Sequence, residues 1–589
     1  MGEDGRYGMH ELLRQDAGRR LAADPAEEAE ARRRHAAHFS GLLPDPADPL
    51  PAGTEPDADV ENLRAATDWL VADGDPADLD RHLTRLCPLY RRRGWFRETQ
   101  AVLGAALRRR EVPVPMRARW HRLLAEAHVQ LGEMPQAREH FERTLAMLGN
   151  PLPASKAGWS DMLASQAVAR LRHLRPGGPA QGAGEWPERA SEVAAVCWQL
   201  EEVCWMLEDP APLLPVALWA LNLSERSGRP DLLMINQAGL GNVLTAAGHQ
   251  RLARAHVRAA AAAAERASDP VALVYTYILA CLHWIAVGDW AAADAGLPRV
   301  LEAGNRARLH RMVDQVVLLA GICRYLTGRF GEAAAMGEDA RVAARDRHDP
   351  MAELWGVVLL SEARLRTDPD DPALAGVLEQ GAALVQAPVP AIDAVRFHVA
   401  VARHHLATGR PDAAWRSVRA AAALAGPASS FHPYTLEAHA GIPEVCLALL
   451  EGGGAPGVEV AELRATATAG LRRLERFART FPTARPRSRL CQGAWQELEG
   501  RRRAALRSWA RAVEAAERLA MPWELAWAQL QLGRHLGPGE RTPNGLDAAT
   551  LLDRAAAGFE AMGCHHAAAL ASRTSSRVAP PGASRTGTG

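Results

Sequence analysis

The chain has 589 residues, with 69 basic side chains against 69 acidic ones, and this neutral sum offers no global pull toward nucleic acid or an anionic membrane. All the basic residues but Lys156 are arginine, which excludes a phosphate-loop lysine or a Schiff-base lysine almost everywhere. Hydrophobic residues make up 48% and aromatics only 5%, with alanine dominant, a composition that predicts an all-α protein of closely packed helices.

Breakers divide the chain into predicted segments. Residues 1–43 read as a small helical segment, and 44–59 as a linker, since Pro44 to Pro56 holds five prolines. Residues 60–175 form a first helical-repeat block, closed by a Gly/Pro-rich loop at 176–187. Central repeats occupy 188–451 and C-terminal repeats 452–571, with GGGAPG at 452–457 and the stretch Leu536 to Gly545 as further interruptions. The Ser/Thr/Gly/Pro-rich residues 572–589 lack an apolar period and are expected to be a disordered tail.

Between the breakers apolar residues recur at three- and four-residue spacing, and strand-type alternation is missing. One layout repeats: Gly132-Glu-Met-x-x-Ala137, Gly248-His-Gln-x-x-Ala253, Gly288-Asp-Trp-x-x-Ala293, Gly328-Arg-Phe-x-x-Ala333 and Gly409-Arg-Pro-x-x-Ala414. Gly94 and Gly500 head weaker copies. The glycines at 248, 288 and 328 are 40 residues apart, and Gly409 lies 81 further on, close to two periods. A glycine at a tight reversal tolerates positive φ, the bulky residue after it plugs the turn, and the alanine lets two helices approach. Seven positions before these glycines stand Gly241, Cys281, Gly321, Ala402 and Gly493; twelve after them stand Ala260, Val300, Ala340, Ala421 and Ala512. Each unit is therefore predicted to be a helical hairpin of about 40 residues.

This order of small residue, turn glycine and alanines resembles the tetratricopeptide repeat, with Leu240-Gly241, Leu244, Gly248, Ala253 and Ala260 the best single match, although the family's usual unit is 34 residues. The resemblance implies a right-handed α-solenoid. Two further resemblances carry a functional implication. Arg6-Tyr-Gly-Met-His-Glu-Leu-Leu-Arg14, the basic stretch Ala29 to Phe39 and Val60 to Leu70 (VENLRAATDWL) are similar, in order, to the end of the winged-helix region of bacterial signal-transduction (STAND-type) ATPases. From Asn150 onward, Asn150 to Ser155, Pro212 to Glu225, Phe481 to Arg487 and Met521 to His535 resemble the repeat-bearing C-terminal arm of large ATPase and nucleotide-cyclase regulator proteins. No G-x-x-x-x-G-K-[ST] motif occurs, so neither the NTPase nor the cyclase part is expected in this chain. These resemblances imply an orphan regulatory arm beside a separately encoded catalytic partner.

Stacked hairpins of that family turn their first helices toward a concave groove. Counting 13, 10, 6 and 3 residues back from the turn glycines gives Arg119, Arg122 and Glu126 in an early unit. Asn242, Tyr275, Gln315, Tyr325, Arg396, Arg403, Arg487 and Glu497 follow in later ones. Trp355 and Glu362 take corresponding places in a degenerate unit ending near residue 368. Arginines, carboxylates and aromatics on an inner wall suit capture of a protein or peptide partner.

Chemistry of other kinds finds no motif. No G-x-S-x-G elbow is present, and the eight cysteines form no C-x-x-C pair and carry no local nucleophile signature, so they are expected to be buried, reduced and inert, most clearly Cys281 and Cys323. His35 and His38, His404-His405 and His565-His566 lack a second ligand pair and are expected to face solvent or cap helices. Asp368-Pro-Asp-Asp371 lacks the glycine and terminal glutamate of a calcium loop. Arg32–Arg34, Arg91–Arg93, Arg108–Arg110 and Arg501–Arg503 lie among acidic residues, as solvated helix faces do. The N-terminus lacks an apolar signal core, and no window of about 18 residues is free of both charge and breakers, so a cytoplasmic location without membrane contact is expected. The expectation is thus a non-enzymatic scaffold or regulatory arm with no cofactor, no metal, no catalytic residue and no direct nucleic-acid partner. The alternative is an arm that senses a small molecule and regulates a separate ATPase or DNA-binding protein.

Overall fold

In a computed structural model, residues 11–44, 59–173, 187–387, 389–425 and 432–578 are described. Among them stand 27 α-helices, two short 3₁₀ turns and no strand. The linker predicted at 44–59 and the loop at 176–187 fall almost wholly outside the described residues.

The chain divides into two compact units. The first draws on Met1–Ser165 and Glu188–Asp209. It holds α1 (Glu11–Leu21), α2 (Pro25–Gly41), α3 (Val60–Ala72), α4 (Pro76–Arg92), α5 (Phe96–Leu107), α6 (Val114–Gln130), α7 (Met134–Met147), most of α8 (Lys156–His173) and α9 (Pro187–Met206). Its core gathers Leu79, Leu83, Leu103 and Trp120, all fully buried.

The second unit draws on Gln166–Pro187 and Pro210–Gly589. Its helices are α10 (Pro210–Ser227), α11 (Pro230–Ala246), α12 (Gln250–Ala264), α13 (Pro270–Val287), α14 (Trp290–Arg306), α15 (His310–Leu326), α16 (Phe330–Asp346), α17 (Pro350–Thr367) and α18 (Pro372–Leu384). They continue with α19 (Ala391–Ala407), α20 (Pro411–Leu424), α21 (Leu436–Glu451), α22 (Val460–Thr480), α23 (Arg485–Leu498), α24 (Arg502–Arg518), α25 (Pro522–His535), α26 (Ala548–Ala561) and α27 (His565–Val578). Helix α27 runs through 572–578, where a tail without structure was expected; residues 579–589 lie outside the described ones.

From α11 on, helices pair as hairpins, and each odd-numbered helix also touches the next odd-numbered one. Every predicted turn glycine sits at a hairpin reversal: Gly288 has φ +78° and Gly328 φ +76°, and Gly94, Gly132, Gly248, Gly409 and Gly500 share the left-handed conformation. The alanines five residues later are buried where the paired helices cross. Close approach at the crossing is real: a Cβ on Gly241 would lie 2.7 Å from Val257 Cγ2 and one on Gly493 2.3 Å from the Trp509 indole nitrogen, while one on Gly321 would lie 2.3 Å from Leu359 Cδ2 of the next inner helix. Reversals between hairpins use a different device. Asp269 and Asp349 cap α13 and α17 with their carboxylates just ahead of a proline. Arg308, His348 and Ala520 take positive φ there without being glycine.

Contacts far apart in sequence show how the hairpins of the second unit wind. The Gln250 side-chain amide at the start of α12 donates to Thr480 O at the end of α22 (2.9 Å). The Trp290 indole at the start of α14 donates to Leu519 O just past α24 (2.8 Å). Gly328, ahead of α16, abuts Met562 at the end of α26. Each junction joins the head of one outer helix to the tail of the outer helix ten further along, so five hairpins complete one superhelical turn and the next turn stacks on it.

Five hairpins leave a narrow interior. One continuous core joins residues of the inner helices α13, α15, α17, α21, α23, α25 and α27, among them Val274, Ile285, Leu319 and Leu359, to the inward faces of outer helices, among them Phe330 on α16, Phe477 on α22 and Phe559 on α26. Pro270–Val287 is long and apolar enough by composition to cross a membrane, and it is α13, an inner helix of this core. Where the sequence predicts an open groove along the first helices, Tyr325, Trp355, Glu362, Arg396 and Arg487 on those helices are buried in this unit.

Candidate functional site

Six successive inner helices, α15 to α25, each place a polar or charged side chain in that interior. Glu362 on α17 forms a two-pronged pair with Arg396 on α19 (2.7 and 3.2 Å). Arg403, two turns along α19, reaches Glu437 and Glu444 on α21, the latter at 2.8 Å. Arg487 on α23 bridges Glu444 (2.5 Å), Glu437 (3.1 Å) and Glu524 on α25 (3.2 Å). Arg366 on α17 donates to the Tyr325 hydroxyl on α15 (2.8 Å), approaches Glu437 (3.5 Å) and lies over the Trp523 ring of α25, 4.4 Å from its centroid. Because α25 stacks one superhelical turn after α15, the ladder closes on itself through Arg366, Tyr325 and Trp523.

Four arginines meet four glutamates, so the ladder is neutral in sum, which is what makes its burial tolerable. Arg396, Arg487, Glu362 and Glu524 are each no more than 2% exposed. Burial penalises the charge on Glu437, yet Arg403, Arg487 and Arg366 outweigh it and hold that carboxyl below its ordinary range. Glu444 is lowered in the same way by Arg487 and Arg403. At the two ends burial prevails over the arginines and raises Glu362 and Glu524. Burial opposes the charge of Arg396, Arg403 and Arg487 as well, but the carboxylates raise all three. Guanidinium forks locked on carboxylates make cross-ties between neighbouring hairpins.

Of the residues predicted to line a groove, Tyr325, Glu362, Arg396, Arg403 and Arg487 come together here, satisfied by partners within the chain. Trp355 stands beside them and donates its indole proton to Asp393 (3.0 Å). Asn242 and Tyr275 are buried on α11 and α13, outside the ladder, and Gln315 and Glu497 are half-buried. Arg119, Arg122 and Glu126 belong to the first unit. There Arg119 pairs with Asp80, and Arg122 with Glu126 and with Glu192 on α9. Arg366, Glu437, Glu444 and Glu524 escaped the sequence reading. Glu437, Glu444 and Glu524 belong to hairpins that turn at Gly452 to Gly454 and in a loop after His535, neither of which carries the glycine-bulky-alanine layout that set the register, and Arg366 stands two residues before the turn at Asp368, off the counted positions.

Other side chains singled out from sequence settle as follows. His404 is buried in the last turn of α19 and so does not face solvent, while His38, His565 and His566 are exposed and His565 pairs with Glu560. All eight cysteines are buried free thiols, and burial pushes Cys87, Cys204, Cys446 and Cys564 up to about 12. Asp371 caps α18, and Asp368 to Asp371 is a turn. Among the described residues no cluster of three or more metal-ligating side chains occurs. A cleft of about 290 Å³, wide open and mostly apolar, lies between Thr327 and the α24–α25 turn.

No known protein family and no curated protein matches the chain. Among solved structures it is similar to a circular tandem repeat protein described as having a novel repeat topology and enhanced subunit contact surfaces, at 12% identity. That match covers 92% of this chain and 99% of the other with a TM-score of 0.12, so the helical repeat architecture rests on this chain's own hairpins.

Proposed function

We propose that the protein is a non-enzymatic scaffold or regulatory arm that binds a protein partner. The observation that carries this reading is the ladder: the most chemically capable side chains of the second unit are spent on one another, away from solvent, where they can fix the pitch of a superhelix but cannot meet a substrate. Such a body presents outer helices and turns as its working surface. The tetratricopeptide-like layout and the resemblance to arms of bacterial signalling ATPases and cyclase regulators support a regulatory setting in the cytoplasm, beside a separately encoded catalytic partner. A filled interior also weighs against the sensor alternative, because a small-molecule site needs a concave cavity.

The experiment pairs affinity capture on the immobilised full chain with titration calorimetry against nucleotides and common metabolites. A defined protein, recaptured when purified, is the expected result. Saturable heat from a small molecule with no protein captured would turn the assignment to the sensor.

A further inference from the structure

On the outer layer of the second unit, α12 contains no acidic residue between Gln250 and Ala264. Its Arg251, Arg254 and Arg258 follow at three- and four-residue spacing and are exposed, with Leu252 beside them 58% exposed. On α22, Arg472, Arg476 and Arg479 repeat that spacing on the face opposite the buried Leu474, Phe477 and Ala478. Arg479 has Glu475 at 3.9 Å; the two arginines before it, like the three on α12, make no ion pair or hydrogen bond among the described residues. The Gln250 to Thr480 hydrogen bond joins the two stripes end to end. In a chain of zero net charge this is a local concentration of unneutralised guanidinium groups, stiffly held because both helices are anchored in the core on their other sides.

We propose that the outer faces of α12 and α22 form one docking surface for an acidic helical segment of a protein partner. Carboxylates spaced three and four residues apart on one helix match the arginine spacing on another, and guanidinium forks favour carboxylate partners. Leu252 and Ala255, both exposed, supply apolar contact that a helical side chain can use and a phosphate backbone cannot. This inference rests on the scaffold reading and names its surface.

The test uses the full chain and a fluorescein-labelled helical peptide of about 16 residues, roughly 24 Å long, with glutamates at alternating three- and four-residue spacing and leucine and alanine between. Anisotropy is expected to show saturable binding that weakens as salt rises. Arg251→Glu with Arg254→Glu and Arg258→Glu should weaken it about tenfold or more, equivalent to about 1.4 kcal/mol, with an unchanged melting temperature. Arg503→Glu with Arg507→Glu, on the neighbouring basic face of α24, should leave it within about twofold. Failure of the wild-type chain to bind the peptide, equal losses in both variants, or tighter binding of single-stranded DNA or phosphatidylserine vesicles would overturn the surface. A captured partner that still binds the triple variant would sink this surface while leaving the scaffold reading standing.

Discussion

Arg487 holds the buried Glu437 and Glu524 and the half-buried Glu444 at once, and its loss would leave Glu524 without its arginine and Glu437 and Glu444 sharing Arg403. Arg487→Ala is expected to destabilise the second unit by about 3–5 kcal/mol in denaturant titration. The Glu362–Arg396 pair allows the complementary experiment: Arg396→Met alone strands a buried carboxylate, whereas Arg396→Met with Glu362→Leu removes both charges and should recover most of that loss. In the first unit Glu201 is buried on α9, and burial pushes its carboxyl up to about 8. Below its ordinary value near 4.5 both folded and unfolded forms are protonated. As pH rises from there to about 8 the unfolded form ionises first, so stability falls across that window and levels off beyond it. Glu201→Gln should therefore match the wild type near pH 4.5 and exceed it at pH 8, by on the order of a few kcal/mol in urea unfolding.

At the scale of the element, the hairpin turn is set by one residue and its surroundings. Gly328 and Gly409 share a left-handed conformation, with φ +76° and +68°. Around Gly409 there is open space, but a Cβ on Gly328 would lie 2.6 Å from Met562 Sδ and 2.8 Å from Pro522 Cγ. Gly409→Ala is expected to cost about 1 kcal/mol for the backbone conformation alone. Gly328→Ala should cost about 1–2 kcal/mol more, because the proline ring cannot step aside. Equal melting-temperature losses in the two variants would break the link between the α16 turn and the α25–α26 layer. The turns within hairpins are legible in the sequence because a positive φ favours glycine and the glycines recur at a regular spacing. Turns between hairpins left no such mark, since Arg308, His348 and Ala520 adopt the same conformation under tertiary constraint.

For the second unit as a whole, contacts between successive superhelical turns change how it should unfold. An open solenoid is held by neighbouring repeats alone and loses structure piecemeal. Here the α14 start is tied to the α24 end through Trp290, at a separation of 229 residues, and the shared core runs from α13 to α27. Trp290→Ala is expected to lower amide-exchange protection in α24 and α25 as well as in α14. Loss confined to α13–α15 would show that the turns do not support each other.

From the sequence alone, helix content, hairpin units and their turns follow, because they depend on spacing within about 40 residues and on the conformational range of glycine and alanine. The inward positions of Tyr325, Glu362, Arg396, Arg403 and Arg487 follow too, since helical periodicity assigns a face. What lies on that face is decided by pitch, and pitch is the sum of small crossing angles over many hairpins, each set by side-chain packing that no local pattern records. Packing of neighbouring inner helices brings Glu437, Glu444 and Glu524 to the arginines, and the stacking of one turn on the next brings Trp523 to Arg366, so an inner wall that sequence leaves open becomes a closed ionic core.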